Sequence, residues 1–275
     1  MKNGNNGVGI AALGIGGLLW KNKRIKDMQR EIEEIETQAM RSCREQTQKN
    51  EEILKELGKQ KLSVCIKEVK DFMNYYSLIN NVDIVIKDMI GDTCQDTTRE
   101  IIIKIEKMIE RALKDIKENE NETIWATYSK LQTYKEKMKY IDMKYVAMTG
   151  PCYLYREMYM TEKLKYAREI AELSKEEVKE LKWIYRAAKG LYELINEDTT
   201  LLGNLNMEMK NILKRTCDWR CFTEVEKELV IGIIKNVLRI QEMVELPLIE
   251  ENGKLSERAM DFFERESNNL FTIGE

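Results

Sequence analysis

Only two prolines, Pro151 and Pro247, stand in 275 residues, so three long stretches of chain contain nothing that forces a helix to break. Lys, Glu, Ile, Leu and Met are abundant in those stretches, a composition that long helices favour. The chain is expected to be all-α, a multi-helix bundle. Its apolar fraction of 43% is enough to fill a core at this length.

One stretch departs from this pattern: GVGIAALGIGGLLWKNKR, residues 7–24. It holds much of the chain's glycine, and no charge falls between Lys2 and Lys21. A dinucleotide loop would match Gly7-x-Gly9-x-x-Ala12 with Asp27 beyond, but that fingerprint needs a strand before it and a βαβ unit after it. A cleaved signal peptide would end in small residues, whereas this run ends in Leu18-Leu19-Trp20 and Lys21. A retained membrane segment remains. Its apolar run, Val8 to Trp20, is about 20 Å long as a helix, against about 30 Å of hydrocarbon, which suggests partial insertion, local thinning or an oligomer. Trp20 with Lys21, Lys23, Arg24 and Lys26 forms the aromatic and basic edge of a headgroup boundary. The same basic cluster places the body in the cytoplasm by the positive-inside rule. Gly9, Ala12 and Gly16 form one helical strip of small residues, and Gly7, Ala11 and Gly14 form another. Together with Trp20 they mark the segment that would meet the membrane or further copies of the chain.

Beyond it, Ile25, Met28, Ile32, Ile35 and Ala39 keep a 3-4-3-4 spacing, a short coiled-coil seam. Residues 41–52 lose the apolar stripe, and the stalk is expected to end near Gly58. Three regions follow from this: a membrane segment over 1–20, a helical stalk over 21–58 and a cytoplasmic all-α domain over 59–275. Within the last, helices are expected at about 60–79, 97–117, 122–148, 152–172, 174–196, 203–216, 223–245 and 256–268. Thr97-x-x-Glu100, Ser174-x-x-Glu177 and Thr223-x-x-Glu226 serve as capping boxes. The apolar LVIGII at 229–234 is the expected centre of the core.

Histidine is absent, which removes Ser-His-Asp and Cys-His nucleophiles, His-ligated zinc and Glu-x-x-His di-iron sites. No phosphate loop, EF-hand or nucleophile elbow occurs. No catalytic residue, cofactor or metal ligand is assigned, and the chain is not expected to be an enzyme. The six cysteines read as reduced. Cys217 and Cys221, in CDWRC, would share a helix face. Residues 129–168 carry nine basic and four acidic side chains with seven tyrosines, so Lys135, Lys137, Lys139, Lys144, Lys163 and Lys165 form a candidate patch for nucleic acid or anionic lipid. Solvated lysines beside half-buried tyrosines are the plainer reading, and it is preferred. Residues 240–275 invert the balance, with nine acidic and three basic, which would suit head-to-tail packing of copies. The expected function is a membrane-anchored, oligomerising helical protein that perturbs or perforates the bilayer through its N-terminal segment. A soluble helical adaptor or nucleic-acid-binding assembly protein is the alternative.

Overall fold

The computed structural model describes residues 7–82, 98–118, 153–250 and 253–266, with side chains for most of them. Among these the chain is all-α. Helix α1 spans Gly7–Val64, a π-helical segment covers Cys65–Val69, and α2 spans Lys70–Tyr76. Helices α3 (Thr98–Glu118), α4 (Tyr153–Arg215), α5 (Glu224–Glu245) and α6 (Glu257–Glu266) follow. Two compact units result, Met1–Lys49 with Ser129–Lys182 and Asn50–Tyr128 with Trp183–Glu275.

In the first unit, α1 and α4 run parallel. Thr161 Oγ1 donates to Met28 Sδ at 3.9 Å, Arg168 Nη2 to Glu31 Oε1 at 2.5 Å, and Cys43 Sγ to the Ser174 carbonyl at 3.8 Å, so both partners advance together. Ile25, Met28 and Ile32 are buried against Met160 and Ala167, with Ile35 packed at their edge. The seam does not end at residue 41. Ala39 is followed four residues on by buried Cys43 and then by Gln46, so the heptad is interrupted and resumes with a polar residue inside.

The second unit also pairs α1 and α4 in parallel. Gln60 Nε2 donates to Asn196 Oδ1 at 2.8 Å, and Asn206 Nδ2 to the Glu68 carbonyl in the π-helical segment at 2.9 Å. A single bridge then joins Asn80 to Asp218, through Asn80 N to Cys217 O at 2.8 Å and Trp219 N to Asn80 O at 3.1 Å. Against this pair pack α3, through Ile101, Ile105, Met108 and Ala112, and α5, whose Val230, Ile233, Ile234, Val237 and Ile240 have no exposed surface. The 229–234 stretch is therefore central, and the Thr223–Glu226 capping box is formed as its spacing implies: Thr223 N donates to Glu226 at 2.8 Å and Glu226 N to Thr223 Oγ1 at 3.3 Å. The Thr223 N–H on its carboxylate, helped by the Arg215 guanidinium, holds the Glu226 carboxyl below its ordinary range.

Several boundaries differ from expectation. Gly58 ends nothing, since α1 passes through it to Val64. The expected helices at 152–172, 174–196 and 203–216 are one helix of 63 residues. Ser174 does not cap: it is buried, and its hydroxyl donates back to the Ala171 carbonyl at 2.9 Å, which lets the helix continue. Thr199 and Thr200 likewise donate to carbonyls four residues back. CDWRC is not α-helical; Asp218 accepts from Arg220 N at 3.1 Å and starts a short 3-10 turn, Trp219–Cys221, so the expected shared thiol face is not formed. Residues 101–105, which resemble a strand in composition, are helical within α3. Thr97 and the expected helix at 122–148 lie outside the described residues.

Gly203 sits inside α4 with nothing within 4 Å of the position a Cβ would take. Glycine there weakens the helix without relieving a close approach, so Gly203→Ala is expected to stabilise the protein by about 0.5–1 kcal/mol, read as a higher urea midpoint at unchanged slope.

Candidate functional site

Gly7, Gly9, Ala12, Gly14, Gly16 and Trp20 lie on the helical backbone of α1, their side chains being outside the described ones. The first turn of α1 holds no acidic residue. Gly7 to Trp20 amounts to about 21 Å of helix. Among the described residues, no helix is long and apolar enough to cross a membrane. Lys23, Arg24 and Lys26, directly after the segment, are exposed.

The seam residues Ile25, Met28, Ile32 and Ile35 come together and are covered by residues of the same chain. Of the basic patch, Lys135, Lys137, Lys139 and Lys144 lie outside the described residues. Lys163 is half-buried, and Lys165 is exposed beside Glu169 at 3.8 Å.

A different cationic surface is formed in the first unit, one that the sequence reading missed. A groove of about 590 Å³ runs between α1 and α4 with Ile35, Ala39, Ala171 and Val178 on its apolar side. Arg168, Lys175, Lys179 and Lys182 line it, against the single carboxylate Glu172. Glu172 is held by Lys175 at 2.7 Å and Glu31 by Arg168, whereas Lys179 and Lys182 are exposed and make no ion pair among the described residues. In sequence these cations are spread over about four helical turns among glutamates; only the pairing with α1 shows which of them flank one groove.

The second unit buries its polar groups for structural ends. Lys61 is 3% exposed, and its Nζ donates to the Val244 and Leu246 carbonyls at 3.1 and 3.0 Å, at the C-terminal end of α5. Burial lowers its ammonium to a pKa of about 8. Cys65, one turn on, is pushed up to about 12, first by burial and then by Glu245. Asp198 faces Arg239 Nε at 3.3 Å, and Arg239 Nη2 reaches Glu266 at 2.9 Å, tying α4, α5 and α6. Burial raises the Asp198 carboxyl, and Arg239 opposes that shift. Cys43 and Cys65 are buried free thiols, Cys217 is half-buried and Cys221 is exposed. Among the described residues no group of three or more Cys, Asp or Glu side chains gathers as a metal site.

No family model, no curated protein and no solved structure matches this chain.

Proposed function

We propose that this chain is a membrane-attached helical protein whose N-terminal helix end enters the bilayer from one face without crossing it, with its helical units held on the cytoplasmic side. One observation carries the reading. Helix α1 runs unbroken from Gly7 to Val64, so the uncharged Gly7–Trp20 stretch is the leading end of a helix whose next residues, from Ile25 on, are packed against α4. A helix end of about 21 Å reaches less than the hydrocarbon thickness of about 30 Å, which favours half-insertion over a span. Exposed Lys23, Arg24 and Lys26 follow it where anionic headgroups would lie. The reading assigns no catalytic step.

Flotation of the full chain with anionic phospholipid vesicles, followed by an alkaline carbonate wash, tests this. The full chain is expected to float and resist the wash, and a version lacking residues 1–20 is expected to remain at the bottom. Equal behaviour of the two would overturn the proposal. Release of a trapped dye would instead point to perforation by clustered segments, because a half-inserted helix leaves the opposite leaflet closed.

A further inference from the structure

We propose that the cationic groove between α1 and α4 receives helix α6 of a second copy of this chain. The two surfaces are complementary in charge and shape, and the groove is long enough to take the whole helix. From Arg168 to Lys182 the cationic side of the groove extends about 21 Å along α4, and the ten residues of α6 span about 15 Å. Helix α6 buries Ala259, Phe262 and Phe263 in its own unit. Its other face carries Glu257, Met260, Asp261 and Glu264, the i, i+3, i+4, i+7 spacing of one continuous stripe. Met260 is 48% exposed at the centre of that acidic stripe. An apolar side chain flanked by carboxylates is the complement of an apolar floor flanked by Lys179 and Lys182.

The basic residues of the helix do not cancel the match. Arg265 is drawn to Glu242 at 2.6 Å within its own unit, and Glu266 is likewise engaged by Arg239. Arg258 alone stands beside the stripe, one residue round from Glu257. The small floor residues Ala39 and Ala171 let a third helix approach closely, and Met is a side chain that adapts to such a groove. Groove and stripe are different surfaces, so the contact is heterologous and joins copies head to tail, into a ring if the rotation closes and into a filament if it does not. It does not depend on membrane attachment, because neither surface includes residues 7–20.

The test is sedimentation of the full chain in excess detergent, with three samples: the wild type, a Lys179→Glu/Lys182→Glu variant, and a Glu257→Lys/Asp261→Lys variant. Wild-type chain is expected to self-associate, more weakly as salt rises, and each double variant to lose at least about tenfold in affinity. Mixing the two variants restores a wild-type contact, α6 of the first on the groove of the second, and a charge-swapped contact in the opposite sense, so the mixture is expected to regain association with the two variants alternating. That outcome needs both variants folded, which separates a lost contact from a lost fold. A monomeric wild type at every concentration would overturn the proposal, as would association that ignores both variants.

Discussion

Lys61→Ala is expected to destabilise the second unit by about 3 kcal/mol. Helix α5 ends at Glu245 and is followed by Leu246 and Pro247, and the carbonyls of a last helical turn have no partner within the helix. Lys61 supplies one from another helix, bonding Val244 O and Leu246 O with a single buried ammonium that also favours the negative end of the helix dipole. Alanine removes both donors and leaves a void where the four-carbon stem lay, and each loss costs about 1–3 kcal/mol. Lys61→Met keeps most of the stem but also removes both donors, so it is expected to cost about 1–3 kcal/mol for the unpaired carbonyls alone, less than alanine by the cost of the void. Urea unfolding followed by helical circular dichroism gives both values. If the two substitutions cost the same, the stem contributes nothing and the account of the site is wrong.

The pH dependence of the same pair has a definite sign. Between its folded value of about 8 and the ordinary 10.5, Lys61 is protonated in the unfolded chain and neutral in the folded one, so raising the pH through this window favours folding. Cys65 acts oppositely: from 9 to about 12 the unfolded thiol ionises while the buried one does not, so folding loses stability. The pair is expected to raise stability from pH 8 to 9 by about 1 kcal/mol, to cancel up to about pH 10.5 and to lower it above that. Subtracting the Lys61→Met profile isolates the rising limb from every other titrating group, and a flat difference between pH 8 and 10 would refute the lysine's part.

These helix contacts show what a helical sequence does and does not reveal. The Thr223-x-x-Glu226 box is legible because Thr223 precedes an apolar run and follows extended Phe222 rather than an α-helix whose carbonyls it could bond back to. Ser174-x-x-Glu177 has the same pattern, yet Ser174 finds the Ala171 carbonyl behind it and the helix continues; the two differ in what lies upstream. The 25–28–32–35 spacing reports that an apolar face is covered, but not by what. Its partners, Met160 and Ala167, lie more than a hundred residues away and face it because α4 runs parallel to α1, a pairing that side-chain period alone does not encode. Polar seam residues hide the rest. Cys43, Gln46 and Asn50 continue the buried face of α1 while looking like a loss of stripe. The groove was hidden for the same reason, since Lys179 and Lys182 are ordinary surface lysines until α1 lies beside them.

Ile32→Ala should therefore act inside one chain. Ile32 is 3% exposed in a cluster of only a few large side chains, so the vacated volume has little to collapse into, and a loss of about 2–4 kcal/mol is expected. The loss should fall on the first unit. Amides of 25–39 and 158–170 are expected to exchange faster by about thirtyfold or more, while those of α5 keep their protection. A stalk formed between copies makes the opposite prediction, because its protection would rise with protein concentration as bound copies stabilise one another. Exchange at two well-separated concentrations, carried out in the Lys179→Glu/Lys182→Glu background that removes the groove contact, therefore tells the two arrangements apart. If Ile32→Ala leaves exchange unchanged at high concentration and accelerates it on dilution, the seam is covered by a second copy; if the acceleration is the same at both, the parallel α1–α4 pair is what buries it.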